Sequence, residues 1–336
     1  MPVRVIHSRA RRSLTCLLLA GLLGAAASLA HAQGRGPAQD YPSRPIHIIV
    51  PFAPGGSTTT VARLIGQNLT ERWGQPVVVE NRAGGNSSIG TEALARSPAD
   101  GYTILLVVST HVINPLVMKL PYDTFADFAP ICTIYSTEYV LVVNPEVQAN
   151  NLAEFVALAR ARPGQLSYGA GDNGGVTHLA SELFNLRAGV RIQGVPYKGA
   201  GPALADTLGG HVQMFFGPPI VALPHIKSGK LRALAVSGTS RVEGLPDVPT
   251  FEQAGLTGVD VTTWYGLLAP AHTPPEIVGK LAEAIRDIMG SEGVRSQLRQ
   301  QGLEPYVLGP ADFDALMHRD MAKFESVIKT ANIKFD

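Results

Sequence analysis

Charge is scarce in this chain: Asp, Glu, Lys and Arg make up 16% of its 336 residues, against roughly 25% in an average soluble domain. The two signs nearly balance, 28 basic against 27 acidic, so the basic field of a nucleic-acid surface is missing. Cysteine is almost absent. Cys16 and Cys132 are too few for a disulfide scaffold or a four-cysteine zinc site. Aromatics reach only 7%. No apolar run approaches the ~18 residues of a membrane span, apart from one candidate near the N-terminus. What is plentiful is aliphatic and turn-forming, with 45% hydrophobic residues, 35 glycines and 25 prolines. That composition excludes a disordered chain, and the length suggests about two domains at ~150 residues each.

The N-terminal run reads as an export signal. Arg4, Arg9, Arg11 and Arg12 precede the apolar stretch Leu14–Leu29, which Ala30-His31-Ala32 closes. Basic, then apolar, then small residues at alternate positions is the order of a secretory signal peptide. Residues 1–32 are therefore expected to be cleaved near Ala32. The apolar run, 16 residues long, is short for a span, and Cys16 sits near its start, not at the cleavage site a lipoprotein would need. Removing the four arginines of this segment leaves 24 basic against 27 acidic side chains, a formal charge of −3. Cys132 is then a lone thiol, compatible with an oxidising compartment because it has no partner.

Downstream, strand and helix patterns alternate. Ile46–Val50 is a β-branched run ended by Pro51, and Val61, Leu64, Ile65 and Leu69 follow at helical spacing. Strands are expected at 77–80 and 102–108 and a helix at 89–96. A second alternating set begins after the strand Tyr139–Val143: helices at 152–161, 176–187 and 201–208, and strands at 166–168, 192–196, 212–216 and 231–236. A strand at 261–268 and helices at 275–289 and 311–329 finish the chain. Such alternation argues for mostly parallel sheets covered on both faces. The expected architecture is two α/β lobes joined by two crossing strands, near Tyr139–Val143 and Val261–Leu268. Residues 41–141 and 263–336 make the first lobe, residues 142–262 the second, with a ligand cleft between them.

Two glycine-rich loops leave strands and enter helices. Pro51-Phe52-Ala53-Pro54-Gly55-Gly56-Ser57-Thr58 is the first, where glycine lets a ligand approach the backbone and Ser57 or Thr58 can cap the helix or donate a hydroxyl. Gly169-Ala170-Gly171-Asp172-Asn173-Gly174 is the second, a G-x-G-x-x-G match. The acidic residue expected ~20 positions on in a dinucleotide site is missing, so no cofactor is expected. Free N–H groups at a helix start still attract an anion. Ser109-Thr110-His111 and Tyr197-Lys198-Gly199 add polar loops at the sheet edges. G-x-S-x-G, a Walker lysine loop and H-E-x-x-H are absent. His178 and His225 read as structural or solvated, and no metal site is expected.

A family resemblance becomes specific at this point. Tyr41-Pro42-Ser43-Arg44-Pro45-Ile46 followed by Ile49-Val50-Pro51-Phe52-Ala53-Pro54-Gly55-Gly56 resembles the opening of the substrate receptors of tripartite tricarboxylate transporters, the Bug-type solute-binding proteins. Val79-Glu80-Asn81-Arg82, Leu120-Pro121-Tyr122-Asp123, Val195-Pro196-Tyr197-Lys198-Gly199, Leu223–Ala235 and Leu245–Thr250 continue the likeness in order, over about residues 41–330. The resemblance implies a two-lobed type II periplasmic-binding-protein fold in a monomer located in the periplasm. It implies no enzymatic activity, a small organic carboxylate as ligand, and membrane permease subunits as partners. The ligand residues it points to are Phe52, Ala53, Gly55, Gly56, Ser57, Thr58 and Thr110 from the first lobe. From the second lobe they are Ala170, Gly171, Asn173, Gly174, Thr177, Tyr197 and Lys198. Relatives often carry an aspartate where this chain has Thr59 and Gly217, so the ligand is expected to lack an ammonium group. Two other classes stay open: a receptor that signals to a partner, and an exported hydrolase of small esters built around Ser109 and His111.

Overall fold

The run Ile46–Val50 forms strand β1, as β-branched residues bounded by a proline should. Helix α1 (Ser57–Trp73) follows, burying Val61, Ile65 and Leu69 at four-residue intervals. It ends where Gly74 turns left-handed, at φ 66°, and its N–H donates back to the Thr70 carbonyl. The computed structural model describes residues 40–171, 173–301 and 303–331. The expected leader, residues 1–32, lies outside the described residues. Every element below belongs to one compact unit that starts at Pro42.

Two mixed sheets organise the chain. The first has six strands in the order β11-β4-β10-β3-β1-β2. Beside β1 stand β2 (Val77–Asn81) and β3 (Thr103–Val108), both parallel to it. Strands β4 (Phe128–Glu138), β10 (Thr262–Pro270) and β11 (Glu304–Pro305) join antiparallel. The second sheet has five strands in the order β7-β6-β8-β5-β9. Its members are β5 (Val140–Val143), β6 (Ser167–Ala170), β7 (Gln193–Pro196), β8 (Met214–Gly217) and β9 (Arg232–Val236). Here β6 runs parallel to β7 and β8, while β5 is antiparallel to β8 and β9.

The expectation of mostly parallel sheets is thus corrected. In the first sheet β10 stands between β3 and β4, antiparallel to both, and in the second β5 stands between β8 and β9, antiparallel to both. Strand β4 passes to β5 through the single residue Tyr139, and β9 returns to β10 over residues 237–261.

Eight further helices cover the first sheet or the second, or cap their ends: α2 (Ser88–Ala95), α3 (Thr110–Val117), α4 (Leu152–Ala161), α5 (Val176–Ala188), α6 (Ala200–Leu208), α7 (Pro219–Lys227), α8 (Pro275–Gly290) and α9 (Glu292–Gln300), with α10 (Pro310–Ala331) closing the described chain. Helix α4 shows the local logic. Asn151 Oδ1 accepts the Glu154 N–H at 2.9 Å and Glu154 reaches back to the Asn150 N–H at 2.7 Å, a reciprocal cap. Helix α3 corrects the reading of Ser109-Thr110-His111 as a loop, since Thr110 opens the helix and His111 is buried in it. Helices α7 and α9 and strand β4 were also not expected. Among the described residues no helix is long and apolar enough to cross a membrane.

Candidate functional site

The glycine loop after β1 and the loop after β7 come from different sheets and meet. The Ala53 N–H donates to the Lys198 carbonyl at 2.8 Å. Gly55 adopts φ 89°, which turns the chain into α1. Gly201, in the first turn of α6, lies so close that a Cβ there would stand 2.7 Å from the Pro54 carbonyl oxygen and 2.9 Å from the Gly55 carbonyl carbon. A second bridge joins the Val176 N–H of α5 to Thr110 Oγ1 of α3 at 3.3 Å. Between these bridges lies a small, partly open cavity.

The cavity is lined by Phe52, Gly56, Ser57, Thr58, Val108, Thr110, Tyr139, Gly171, Thr177, Ala200, Pro218 and Tyr265. None of these carries a charge. Five helices begin at its wall: Ser57 and Thr58 open α1, Thr110 opens α3, Thr177 is second in α5, Ala200 opens α6, and Pro218 precedes α7. None of the five has an acidic residue in its first turn or a bond from the side chain of its own N-cap residue, although Thr110 Oγ1 holds the first N–H of α5. By contrast α4, α8, α9 and α10 each carry an acid there. The partial positive ends of the cavity helices are therefore left for something other than the chain's own carboxylates. Pro218 and Pro219 lack N–H groups, so α7 supplies its dipole alone at those positions.

Hydroxyls and aromatic faces complete the wall. Ser57 Oγ and the Tyr265 hydroxyl are 2.6 Å apart, and the Tyr265 ring stacks on Tyr135 at 4.1 Å between centroids. Thr177 Oγ1 accepts the Gly171 N–H at 2.8 Å, which folds the second glycine loop back onto α5.

A neighbouring open crevice shares Phe52 and Gly171 with the cavity and adds Gly84–Ser87, Asn173, Tyr197 and Lys198. The residues named from sequence thus divide into three sets. Phe52, Gly56, Ser57, Thr58, Thr110, Gly171 and Thr177 line the cavity. Asn173, Tyr197 and Lys198 line the crevice with Phe52 and Gly171. Ala53, Gly55, Ala170 and Gly174 line neither space. The Ala53 N–H is taken by Lys198, the Ala170 carbonyl accepts the Tyr197 N–H at 2.8 Å, and the Gly174 N–H donates to His178 Nδ1 at 2.9 Å. The Tyr197 hydroxyl donates to Asp206 at 2.6 Å.

Sequence reasoning missed Val108, Tyr139, Ala200, Pro218 and Tyr265. Tyr139 and Tyr265 lie on the two crossings, a position from which they were recoverable. The absence of first-turn acids at these helices is likewise a local feature of the sequence.

Ser109 and His111 do not form a nucleophile and base. Ser109 Oγ accepts from the Trp264 N–H at 3.2 Å and pairs with Thr263 Oγ1 at 3.1 Å. His111 Nε2 lies 3.0 Å from the Thr124 carbonyl, and burial lowers its pKa to about 4, partly offset by that bond. Neither residue lines the cavity. Thr59 Oγ1 accepts from Asn81 Nδ2 at 2.8 Å. At Gly217 a Cβ would stand 2.2 Å from the Phe215 ring, so no larger residue fits there without that ring moving. Among the described residues no group of three His, Cys, Asp or Glu is placed to hold a metal ion.

Known proteins share both sequence and fold. The profile of the tripartite tricarboxylate transporter family receptors matches residues 61–333. Protein BugT of Bordetella pertussis is 37% identical over 300 residues, covering 88% of this chain and 92% of that protein. Rpa4515 of R. palustris, solved with adipate, superposes with a TM-score of 0.85 at 34% identity, over 88% of this chain and 99% of that one. MatC of Rhodopseudomonas palustris, solved with bound malate, superposes at 0.80 with 30% identity, over 86% of this chain and all of that one. The lobed architecture, the cleft and these likenesses agree: the chain belongs to the Bug-type receptor family of the tripartite tricarboxylate transporters, with a two-lobed periplasmic-binding-protein fold.

Proposed function

We propose that this chain captures a small organic carboxylate in the periplasm between its two lobes and delivers it to a tripartite tricarboxylate-type membrane permease, without chemistry on the ligand. The observation that carries the reading is the ring of five helix N-termini, free of first-turn acids, around a cavity with no charged side chain. Oriented N–H dipoles stabilise an anion without a second buried charge to desolvate. Relatives solved with adipate and with malate support a carboxylate as the ligand class. The bridges Ala53–Lys198 and Thr110–Val176 support a mechanism in which contacts from both lobes favour the closed state, so that ligand shifts the open–closed population.

The ligand lacks an ammonium group. Among the described residues no carboxylate lines the cavity to pair with one, and a buried unpaired cation is costly. Thermal unfolding against a panel of mono-, di- and tricarboxylates and amino acids tests this. A ligand at 100 times its Kd adds about 2.7 kcal/mol, a shift of a few degrees for a chain of this size. The reading expects such a shift from a carboxylate; a panel in which only aspartate or glutamate stabilises contradicts it.

A further inference from the structure

We infer that Asn173 is a site of self-deamidation, with His178 as its base, and that the carboxylate it gains weakens ligand capture. The consequence for capture rests on the carboxylate reading above; the modification itself does not. Asn173-Gly174 is the one Asn-Gly pair in the sequence. Gly174 has no side chain to hinder a ring closing between its nitrogen and the preceding side-chain amide, and its φ of 81° is one that glycine takes freely. Asn173 is exposed and lines the open crevice, so water reaches its side chain.

The nitrogen that must attack is already paired with a base. The Gly174 N–H donates to His178 Nδ1 at 2.9 Å. A backbone N–H can only donate, so Nδ1 presents a lone pair and the imidazole is in the tautomer that accepts a proton there. Other asparagines lack this arrangement. Asn114 and Asn144 precede prolines, which have no N–H to lose. After Asn81, the Arg82 N–H donates to the Val50 carbonyl, which is no base.

In the first step the Gly174 nitrogen attacks Asn173 Cγ and its proton passes to His178 Nδ1. The bond from Cγ to the side-chain nitrogen breaks, the proton moves on to that nitrogen, and ammonia leaves behind a five-membered cyclic imide. Water then opens the ring at either carbonyl, giving aspartate or its β-linked isomer. Among the described residues Lys198 is the only charged side chain lining the crevice. A carboxylate at position 173 offsets that ammonium. Phe52 and Gly171 line both crevice and cavity, so the new charge also stands near the bound anion and repels it. The β-linked isomer lengthens by one atom the loop between α5 and Gly171, whose N–H is held by Thr177.

Incubating the purified full chain at neutral pH, folded or unfolded in urea, and mapping its peptides by mass tests the modification. Asn173 should convert before any other asparagine in the folded protein, and faster there than in the unfolded chain, where His178 is not held against Gly174. His178→Asn keeps an acceptor for the N–H without a base and should slow conversion by roughly 10²-fold, the low end of what a positioned base supplies. Slower conversion in the folded than in the unfolded chain, or an unchanged rate in His178→Asn, overturns the inference. Calorimetric titration with succinate, adipate and benzoate tests the consequence: the acid that binds fresh protein should bind Asn173→Asp about tenfold more weakly. Equal affinity overturns the effect on capture. If none of the three acids binds fresh protein, the carboxylate reading fails, while the mass map still decides the modification.

Discussion

Ser237 and Tyr139 clasp each other at the passage between the two sheets. The Ser237 N–H donates to the Tyr139 carbonyl at 2.8 Å, and the Tyr139 N–H donates to Ser237 Oγ at 2.8 Å. The same hydroxyl donates to the Val261 carbonyl, so one serine ties together both crossings. Tyr139 also lines the cavity, which places the clasp beside the ligand. Ser237→Ala leaves a buried N–H and a buried carbonyl without this partner, each costing about 1–3 kcal/mol. The expected result is a clear fall in the midpoint of thermal unfolding. A variant that unfolds at the same temperature as the parent contradicts this role.

Gly201→Ala tests the closed contact. Its Cβ would meet Pro54 O at 2.7 Å, Gly55 C at 2.9 Å and Gly56 N at 3.1 Å, all backbone atoms of the opposing loop. Within α6 alanine is the better helix former, so the second lobe itself is not harmed. Ligand affinity should fall tenfold or more, about 1.4 kcal/mol, while thermal stability without ligand holds. Retained affinity would show that closure does not need this approach.

Gly56→Val separates the site from the fold. Gly56 has an ordinary φ of −87°, and the nearest atom to a Cβ there is Gly201 N at 3.6 Å, so a small side chain is accommodated. The branches of valine then project into space the ligand needs. Binding should be lost with unfolding unchanged; undiminished binding moves the site elsewhere.

His111 gives stability a pH dependence. Its folded pKa, about 4, lies below the ordinary 6.5 because burial disfavours the imidazolium. The unfolded chain therefore binds the proton more readily. The contribution is fully present above pH ~6.5, is lost as pH falls toward 4, and changes no further below that. The full loss is about 3 kcal/mol. In His111→Gln the unfolding temperature should fall less over this window than in the parent, and an identical slope refutes the assignment.

Much of the architecture was legible because period and turn chemistry agree locally. The β-branched run at β1, the spaced aliphatics of α1 and the capped start of α4 are each decided by a few neighbouring residues. Helix α7 was hidden because Pro218, Pro219 and Pro224 read as breakers, although proline at a helix start is favourable. Strand β4 carries Pro130 at a register shift against β10, where a bulge tolerates it. The glycine loops of the site were legible for the same local reason. Val108, Ala200 and Tyr265 reach the cavity only through the packing of two lobes, which no local pattern encodes. Residues such as Ala53 and Gly174 looked free in sequence because their N–H partners, Lys198 and His178, are supplied by the fold.

The central claim is that uncharged helix N-termini hold an anion, and the most direct measurement compares acids with their neutral amides. Calorimetric titration with succinate against succinamide, adipate against adipamide and benzoate against benzamide isolates the charge at nearly constant shape. At least one acid should bind, with its amide 100-fold weaker or worse, about 2.8 kcal/mol. An amide that binds as tightly as its acid would contradict the account.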